Sequence, residues 1–201
     1  MCDIEGYRHA ARHVQLVFVI RRQRMSALQK SAVTDAQCNS FFAMLAESDR
    51  PLIYAGGGVI NGNGADALRA FASDLGIPVV TTLMGIGAVD TQHPLAMSML
   101  GMHGAAFANY AVDDCDFLIA LGARFDDRVA GVPERFAPNA KRIAHIDVDA
   151  SEINKVKRVH WSHVGLLPAA LEALRAHAKQ AGFGRDWSAW RTHLDGLKRR
   201  H

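Results

Sequence analysis

Cysteine is scarce in this chain, and its positions form no recognisable framework. The three residues, Cys2, Cys38 and Cys115, are widely separated, and no two of them are spaced as C-x-x-C. A disulfide-stapled secreted domain needs an even set of cysteines, and a zinc ribbon needs C-x-x-C pairs. The cysteine pattern therefore excludes both classes and is typical of a reducing compartment, so we expect a cytoplasmic protein.

Long hydrophobic runs are also missing. The longest strongly apolar run, residues 14–20, is far shorter than the roughly 20 residues that a membrane-spanning helix needs. The sequence shows no secretory signal with a small-residue cleavage site. It therefore predicts no association with a membrane.

Acidic residues are absent from residues 6–34, which carry six Lys or Arg. This composition leaves three explanations open: a transit peptide, a poorly ordered extension, or the remnant of a truncated preceding domain. By contrast, residues 51–150 hold eleven acidic and six basic residues, whereas a nucleic-acid-binding domain usually carries a basic face. We expect an N-terminal extension over residues 1–34, a body over 35–182 that binds no nucleic acid, and a helical tail over 183–201.

The body alternates between short apolar runs and amphipathic segments. The apolar runs predict strands at residues 52–55, 77–81, 117–121, 142–147 and 159–164. The amphipathic segments predict helices at residues 35–47, 65–75, 106–112, 151–154, 168–181 and 186–200. We expect Asp35 and Ser151 to cap two of these helices, and Gly76 to end another. The alternation predicts an α/β fold with a doubly wound, mostly parallel sheet and helices on both faces.

Unusual residues follow four of the predicted strands. They are the triglycine at residues 56–58, the segment 81–85, the segment 122–124, and Asp147. Because open parallel sheets bind ligands at the carboxyl ends of their strands, we expect these segments to share one edge. Glycine lets backbone amides approach a phosphate, arginine suits a pyrophosphate, and a carboxylate accepts from ribose hydroxyls. With Arg124 and Arg128 as the cations, the pattern predicts a site for an extended dinucleotide.

Each piece also has a simpler interpretation. The glycines are compatible with a tight turn alone, Arg124 and Arg128 with ion pairs to Asp126 or Asp127, and Asp147 with a helix cap. The fingerprint of nicotinamide enzymes is not met, because Asn61 replaces its third glycine and Thr81-Thr82 replaces the acid after the second strand. His160 and His163 lack the further ligands of a zinc site, so we expect no metal.

From about residue 50 to residue 164 the chain resembles the central domain of the acetolactate synthase (acetohydroxyacid synthase) catalytic subunit. Ordered blocks carry the resemblance: residues 51–60, 76–85, 100–104, 108–112, 123–129, 136–141 and 145–149. The Leu-Gly-Met-His-Gly block at 100–104 and the Arg-Phe-Asp-Asp-Arg block at 124–128 separate this family from most other thiamine diphosphate enzymes.

The resemblance implies that the domain holds FAD in extended form, in a structural rather than a net redox role. The residues that it places along the cofactor backbone are Gly56, Gly57, Gly58, Gly122 and Arg124. Those that it places on the flavin side are Thr82, Leu83, Met84, Leu100, Gly101, Met102, His103 and Gly104. The set is completed by Asp126, Arg128 and Val129, and by Asp147 and Val148 at the ribose-adenine end.

The chain departs from the family pattern at several places. Gly165-Leu166 stands where the family has Gly-Asp, and residues 130–132 read Ala-Gly-Val instead of Thr-Gly-Lys. No Gly-Asp-Gly motif for magnesium and thiamine diphosphate occurs, so we expect no site for either and no catalytic residue in this chain. Full-length members are transferases of branched-chain amino acid biosynthesis, and we expect this chain alone to be inactive.

Three functional hypotheses follow from these observations. The first is an isolated or truncated central domain of an acetolactate synthase-like enzyme, and the second is a stand-alone flavin or nucleotide-binding module. The third is a fragment that serves only as an interaction surface. Because residues 84–102 are rich in methionine, we expect self-association or contact with the missing catalytic domains.

Overall fold

Parallel strands form the centre of the molecule, for which a computed structural model describes residues 32–201. The strands within these residues are β1 (Pro51–Ala55), β2 (Val79–Thr81), β3 (Ala96–Met99), β4 (Phe117–Leu121), β5 (Arg142–Asp147) and β6 (Trp161–Val164). They pair in the order β3-β2-β1-β4-β5-β6, and every pair is parallel. The predicted doubly wound α/β fold is confirmed.

Helices connect the strands and cover the sheet. They are α1 (Asp35–Ala46), α2 (Gly57–Asn61), α3 (Ala65–Leu75), α4 (Ala106–Asp114), α5 (Asp127–Ala130), α6 (Leu167–Gln180) and α7 (Ser188–Arg200). Short 3-10 turns occupy Leu83–Gly85, Pro133–Arg135 and Ala150–Glu152. Gly76 ends α3 in the left-handed conformation, as predicted, with φ +68°.

The predicted caps Asp35 and Ser151 and the predicted helix at residues 151–154 were wrong, and one strand was not predicted. Thr34, and not Asp35, caps α1: its hydroxyl accepts from the Gln37 amide, and the Gln37 side chain accepts from the Thr34 amide. Residues 151–154 form no helix of their own; the chain makes a 3-10 turn that Asp149 caps through the Ser151 amide. Strand β3 was missed because it is four residues long and its pairing with β2 is irregular.

The two central strands are fully buried. Every residue of β1 and β4 is buried, including Leu52, Ile53, Leu118 and Ile119. A parallel sheet covered by helices on both faces needs apolar side chains on both sides of each strand, which explains the uninterrupted apolar runs in the sequence. Burial of these runs is the main source of stability of the fold.

Helix α7 closes the amino end of the sheet. The indole N–H of Trp187 donates to the Ser48 carbonyl, and that of Trp190 donates to the Pro51 carbonyl, both at 2.9 Å. Both indoles are buried, and α7 also packs against α4. The predicted helix at residues 186–200 is thus present, within the compact unit Ala32–His201.

The predicted extension falls almost entirely outside the described residues, since they begin at residue 32. Among residues 32–201, no helix combines the length and the apolar composition needed to cross a membrane.

Candidate functional site

The carboxyl ends of the strands converge on one cavity. Strands β1 and β4 are neighbours at the centre, and the chain proceeds outward from them in opposite directions. Such a switch point leaves a crevice between the loops that follow the two central strands, which is where open α/β sheets bind ligands. A cavity of about 680 Å³ opens here, large enough for an extended small molecule. We call it the carboxyl-end cavity.

The carboxyl-end cavity gathers all but three of the residues predicted for a cofactor site. Those that line it are Gly56, Gly57, Gly58, Thr82, Leu83, Met84, Leu100, Met102, His103, Gly122, Arg124, Asp126, Arg128, Val129 and Asp147. They come from the segments after β1, β2, β3, β4 and β5, so the sheet topology brings together residues nearly one hundred positions apart in the chain.

Gly101, Gly104 and Val148 do not line the carboxyl-end cavity. Gly101 forms a turn with φ +99° that Asn109 holds, because the Asn109 amide group bonds both its N–H and its carbonyl. Gly104 packs against backbone, since a Cβ there would lie 2.4 Å from the Met99 oxygen. Val148 alternates with Asp147 along the extended chain and is half exposed away from the cavity.

Four lining residues were missed by sequence reasoning: Asn61, Met99, Asp149 and Glu152. Asn61 ends α2, which was read only as a turn, and Met99 belongs to the unpredicted strand β3. The acidic pair follows β5, so their position after a strand that already carried Asp147 was an available signal.

The glycine turns after β1 and β4 pack backbone against backbone. The Gly56 amide donates to the Leu121 carbonyl and the Gly58 amide to the Gly122 carbonyl, both at 2.9 Å. A Cβ on Gly58 would lie 2.7 Å from the Gly122 Cα. Close packing of the two turns therefore accounts for these glycines, and only the Gly57 amide of the three has no acceptor among residues 32–201.

Arg124 and Arg128 supply positive charge without internal partners. Both side chains are exposed at the carboxyl-end cavity, and neither forms an ion pair within residues 32–201. Pairing with Asp126 or Asp127, the simpler interpretation, is not observed; Asp127 instead accepts from the Arg128 backbone amide at 2.9 Å. The two guanidinium groups are thus available to an anionic ligand.

Asp147 places a buried carboxylate at the end of β5. Its Oδ1 accepts from the Asp149 amide at 2.8 Å, and its Oδ2 lies 3.8 Å from His145 Nε2. Burial opposes its ionisation, but the imidazole and the backbone N–H outweigh this effect and hold the pKa of Asp147 below its ordinary value. The group is therefore an ionised acceptor at neutral pH, suited to ligand hydroxyls.

The other side of the carboxyl-end cavity is apolar and open. Leu83, Met84 and Met102 expose 68%, 69% and 75% of their surface, which is unusual for side chains of this type. Thr82 fixes the turn that carries the first two, because its hydroxyl accepts from the Gly85 amide at 3.1 Å. The cavity thus combines a charged side with an apolar side that faces outward.

Comparison with known proteins gives a consistent result. Residues 38–174 match the family described as "Thiamine pyrophosphate enzyme, central domain". Acetolactate synthase 1, chloroplastic, of Nicotiana tabacum is 46% identical over 160 residues, which are 79% of this chain and 24% of that protein. The same-named rice protein is 48% identical over 158 residues, 78% of this chain and 24% of its own length.

A bacterial relative extends the comparison. The acetolactate synthase isozyme 2 large subunit of Escherichia coli K12 is 42% identical over 158 residues, 79% of this chain and 27% of that protein. The chain therefore spans about a quarter of the length of the curated relatives that it matches.

Proposed function

We propose that this chain, which belongs to the family of thiamine pyrophosphate enzyme central domains, binds FAD in extended form in its carboxyl-end cavity. The observation that carries the proposal is the order of the lining groups: Arg124 and Arg128 as unpaired cations, ionised Asp147, and the exposed apolar side chains. A flavin dinucleotide presents the complementary chemistry, namely a pyrophosphate, ribose hydroxyls and a flat apolar ring system.

The chemistry of the lining residues matches that of this group. The guanidinium groups of Arg124 and Arg128 would bind the pyrophosphate, and Asp147 would accept from the ribose hydroxyls. Leu83 and Met102 would cover the flavin ring, which the apolar side of the cavity would shield from water. When bound, FAD would serve here as a structural element, as the family resemblance implies.

The wider activity is a proposal drawn from the relatives, which are named acetolactate synthases. We infer that the chain is the central part of such an enzyme, in which other domains hold thiamine diphosphate and magnesium. Alone it should not form acetolactate, because the sequence contains no Gly-Asp-Gly motif. A cytoplasmic location remains a prediction, since the relatives include chloroplastic and bacterial proteins.

Titration of the purified chain with FAD tests the proposal. Flavin fluorescence should report saturable binding, and Arg124→Ala should weaken it about tenfold or more, because a hydrogen bond to a charged group contributes about 1.5 to 3 kcal/mol. Arg199→Ala is the matched control, since Arg199 is exposed on α7 and outside the carboxyl-end cavity. Unchanged affinity in Arg124→Ala would exclude the pyrophosphate contact, and no binding by the wild-type chain would overturn the proposed function.

A further inference from the structure

A layer of packed rings lies beneath the charged side of the carboxyl-end cavity. We call it the aromatic layer and define it as Tyr54, Phe125, Phe136 and His145. Ring centroids are 5.5 Å apart for Tyr54 and Phe125, 5.9 Å for Phe125 and Phe136, and 5.5 Å for Phe125 and His145. None of the four rings lines the cavity, but the aromatic layer contacts two residues that line it, Arg124 and Asp147.

Tyr54 forms the first of these contacts. Its hydroxyl donates to the Arg124 carbonyl at 2.9 Å, and the side chain is fully buried on β1. Burial, with a smaller contribution from Asp126, raises the pKa of Tyr54 far above its ordinary value, so the phenol stays a donor at any physiological pH. It therefore anchors the irregular segment that carries the Arg124 guanidinium to the rigid central strand.

His145 forms the second contact. Its ring is 1% exposed, and neither ring nitrogen has a hydrogen-bond partner among residues 32–201. Leaving buried polar atoms unpaired costs about 1 to 3 kcal/mol, so such atoms are rare in a folded protein. Nε2 lies 3.8 Å from Asp147 Oδ2, about an ångström beyond a hydrogen bond, so a small shift of the carboxylate would satisfy the nitrogen.

We propose that Tyr54 and His145 are positioning residues that fix Arg124 and Asp147 for the pyrophosphate and the ribose hydroxyls of the ligand. This inference rests on the proposed function. Tyr54 holds the backbone of the arginine, and His145 Nε2–H donates to Asp147 when the carboxylate moves to accept from a hydroxyl. Preorganised groups bind more tightly because less order must be imposed when the ligand arrives.

A double-mutant cycle measures the first half of the proposal. Tyr54→Phe removes one oxygen from a buried ring and should weaken FAD binding about fivefold in the wild-type background. In the Arg124→Ala background the same change should alter FAD affinity by less than about twofold, because the guanidinium group that Tyr54 positions is absent. Tyr110→Phe is the control, since Tyr110 is half exposed on α4 and outside the carboxyl-end cavity.

The second half is measured at His145. His145→Phe keeps a ring against Phe125 but removes the donor, and should weaken FAD binding about fivefold only while Asp147 is present. His145→Gln retains a donor near the Nε2 position and should recover most of the affinity. His193→Gln is the control, because His193 contacts Asp114 on the opposite side of the molecule, at 2.7 Å.

Circular dichroism melting separates positioning from loss of the fold, and affinities are compared at a temperature where every variant is folded. Binding by the wild-type chain with equal losses in both backgrounds, or no rescue by His145→Gln, would overturn the inference and leave the proposed function standing. Absence of wild-type FAD binding would overturn both.

Discussion

The two ends of the sheet differ in whether their polar groups find partners within the chain. At the amino end, the Asp116 carboxylate accepts from the Ser48 hydroxyl at 2.5 Å and from the Asp49 and Arg50 amides at 3.0 Å. The indole N–H groups of Trp187 and Trp190 donate to the carbonyls of Ser48, before β1, and of Pro51, the first residue of β1. At the carboxyl end, Arg124 and Arg128 lack carboxylate partners within residues 32–201, and the ring nitrogens of buried His145 lack hydrogen-bond partners there.

This difference distinguishes polar groups that stabilise the fold from polar groups that remain available to a ligand. Buried polar groups that are fully satisfied within the chain stabilise it and have no bonding capacity left for a ligand. Exposed cations without carboxylate partners, such as Arg124 and Arg128, keep their bonding capacity for an anionic ligand. The buried His145 ring, whose nitrogens have no hydrogen-bond partner within residues 32–201, costs stability in the free chain. The amino end of the sheet is therefore a closed structural end, whereas the carboxyl end keeps polar groups available for the ligand that we propose.

The largest expected effect is a loss of stability when the glycine turns after β1 and β4 can no longer approach each other closely. A Cβ on Gly56 would lie 2.3 Å from the Gly122 oxygen and 2.5 Å from the Ala123 Cα, so backbone would have to move. Gly56→Ala should lower the free energy of unfolding by about 3 kcal/mol or more. Gly184→Ala, with no atom within 4 Å of its added Cβ, should change it by less than about 1 kcal/mol.

Urea unfolding followed by circular dichroism provides the measurement. Equal stability of Gly56→Ala and Gly184→Ala would show that the turns are not packed as described. If Gly56→Ala folds normally yet loses FAD binding, the glycines act on the ligand directly and not through packing.

Much of this architecture could be predicted from the sequence, because a strand that is buried on both faces of the sheet has an uninterrupted run of apolar residues. The runs at residues 117–121 and 142–147 predicted β4 and β5 to the residue. Strand β3 could not be found in this way, because its sequence, Ala-Met-Ser-Met, is short and is interrupted by the polar Ser98. Its four residues carry no alternation that separates them from a loop.

The candidate site was predictable for a different reason. Once the strands were placed, their carboxyl ends had to share one edge, and the resemblance named the residues there. What it could not supply was each residue's partner. The bonds from Gly56 and Gly58 to the β4 turn, and the unsatisfied His145, depend on how two loops meet in space.

A smaller loss of stability is expected at the closed end, and it should leave the ligand unaffected. Asp116→Ala removes one acceptor from three donors, and we expect a loss of about 2 to 3 kcal/mol in the free energy of unfolding. Asp195→Ala is the control, because that carboxylate is exposed and 4.0 Å from its nearest cation. FAD affinity of folded Asp116→Ala should match that of the wild type.

An equal loss of FAD affinity in Asp116→Ala and Arg124→Ala, at a temperature where both are folded, would contradict this difference between the two ends of the sheet. That result would mean that the two ends are coupled through β4 and that the amino end is not merely structural.

The smallest effect on stability is expected for substitutions at the apolar side of the carboxyl-end cavity, which should instead reduce self-association of the chain. Leu83, Met84 and Met102 are more than two-thirds exposed, so their combined replacement by serine should change the free energy of unfolding by less than about 0.5 kcal/mol. Exposed apolar patches drive association, so we predict that the wild-type chain self-associates with rising concentration and that the triple variant does so less. Val156→Ser, a single exposed position outside this cavity, should behave as wild type.

Sedimentation velocity over a concentration series measures the difference in self-association, with FAD present and absent. A wild-type chain that stays monomeric at high concentration while it retains FAD tightly would contradict this prediction and favour a stand-alone flavin-binding module.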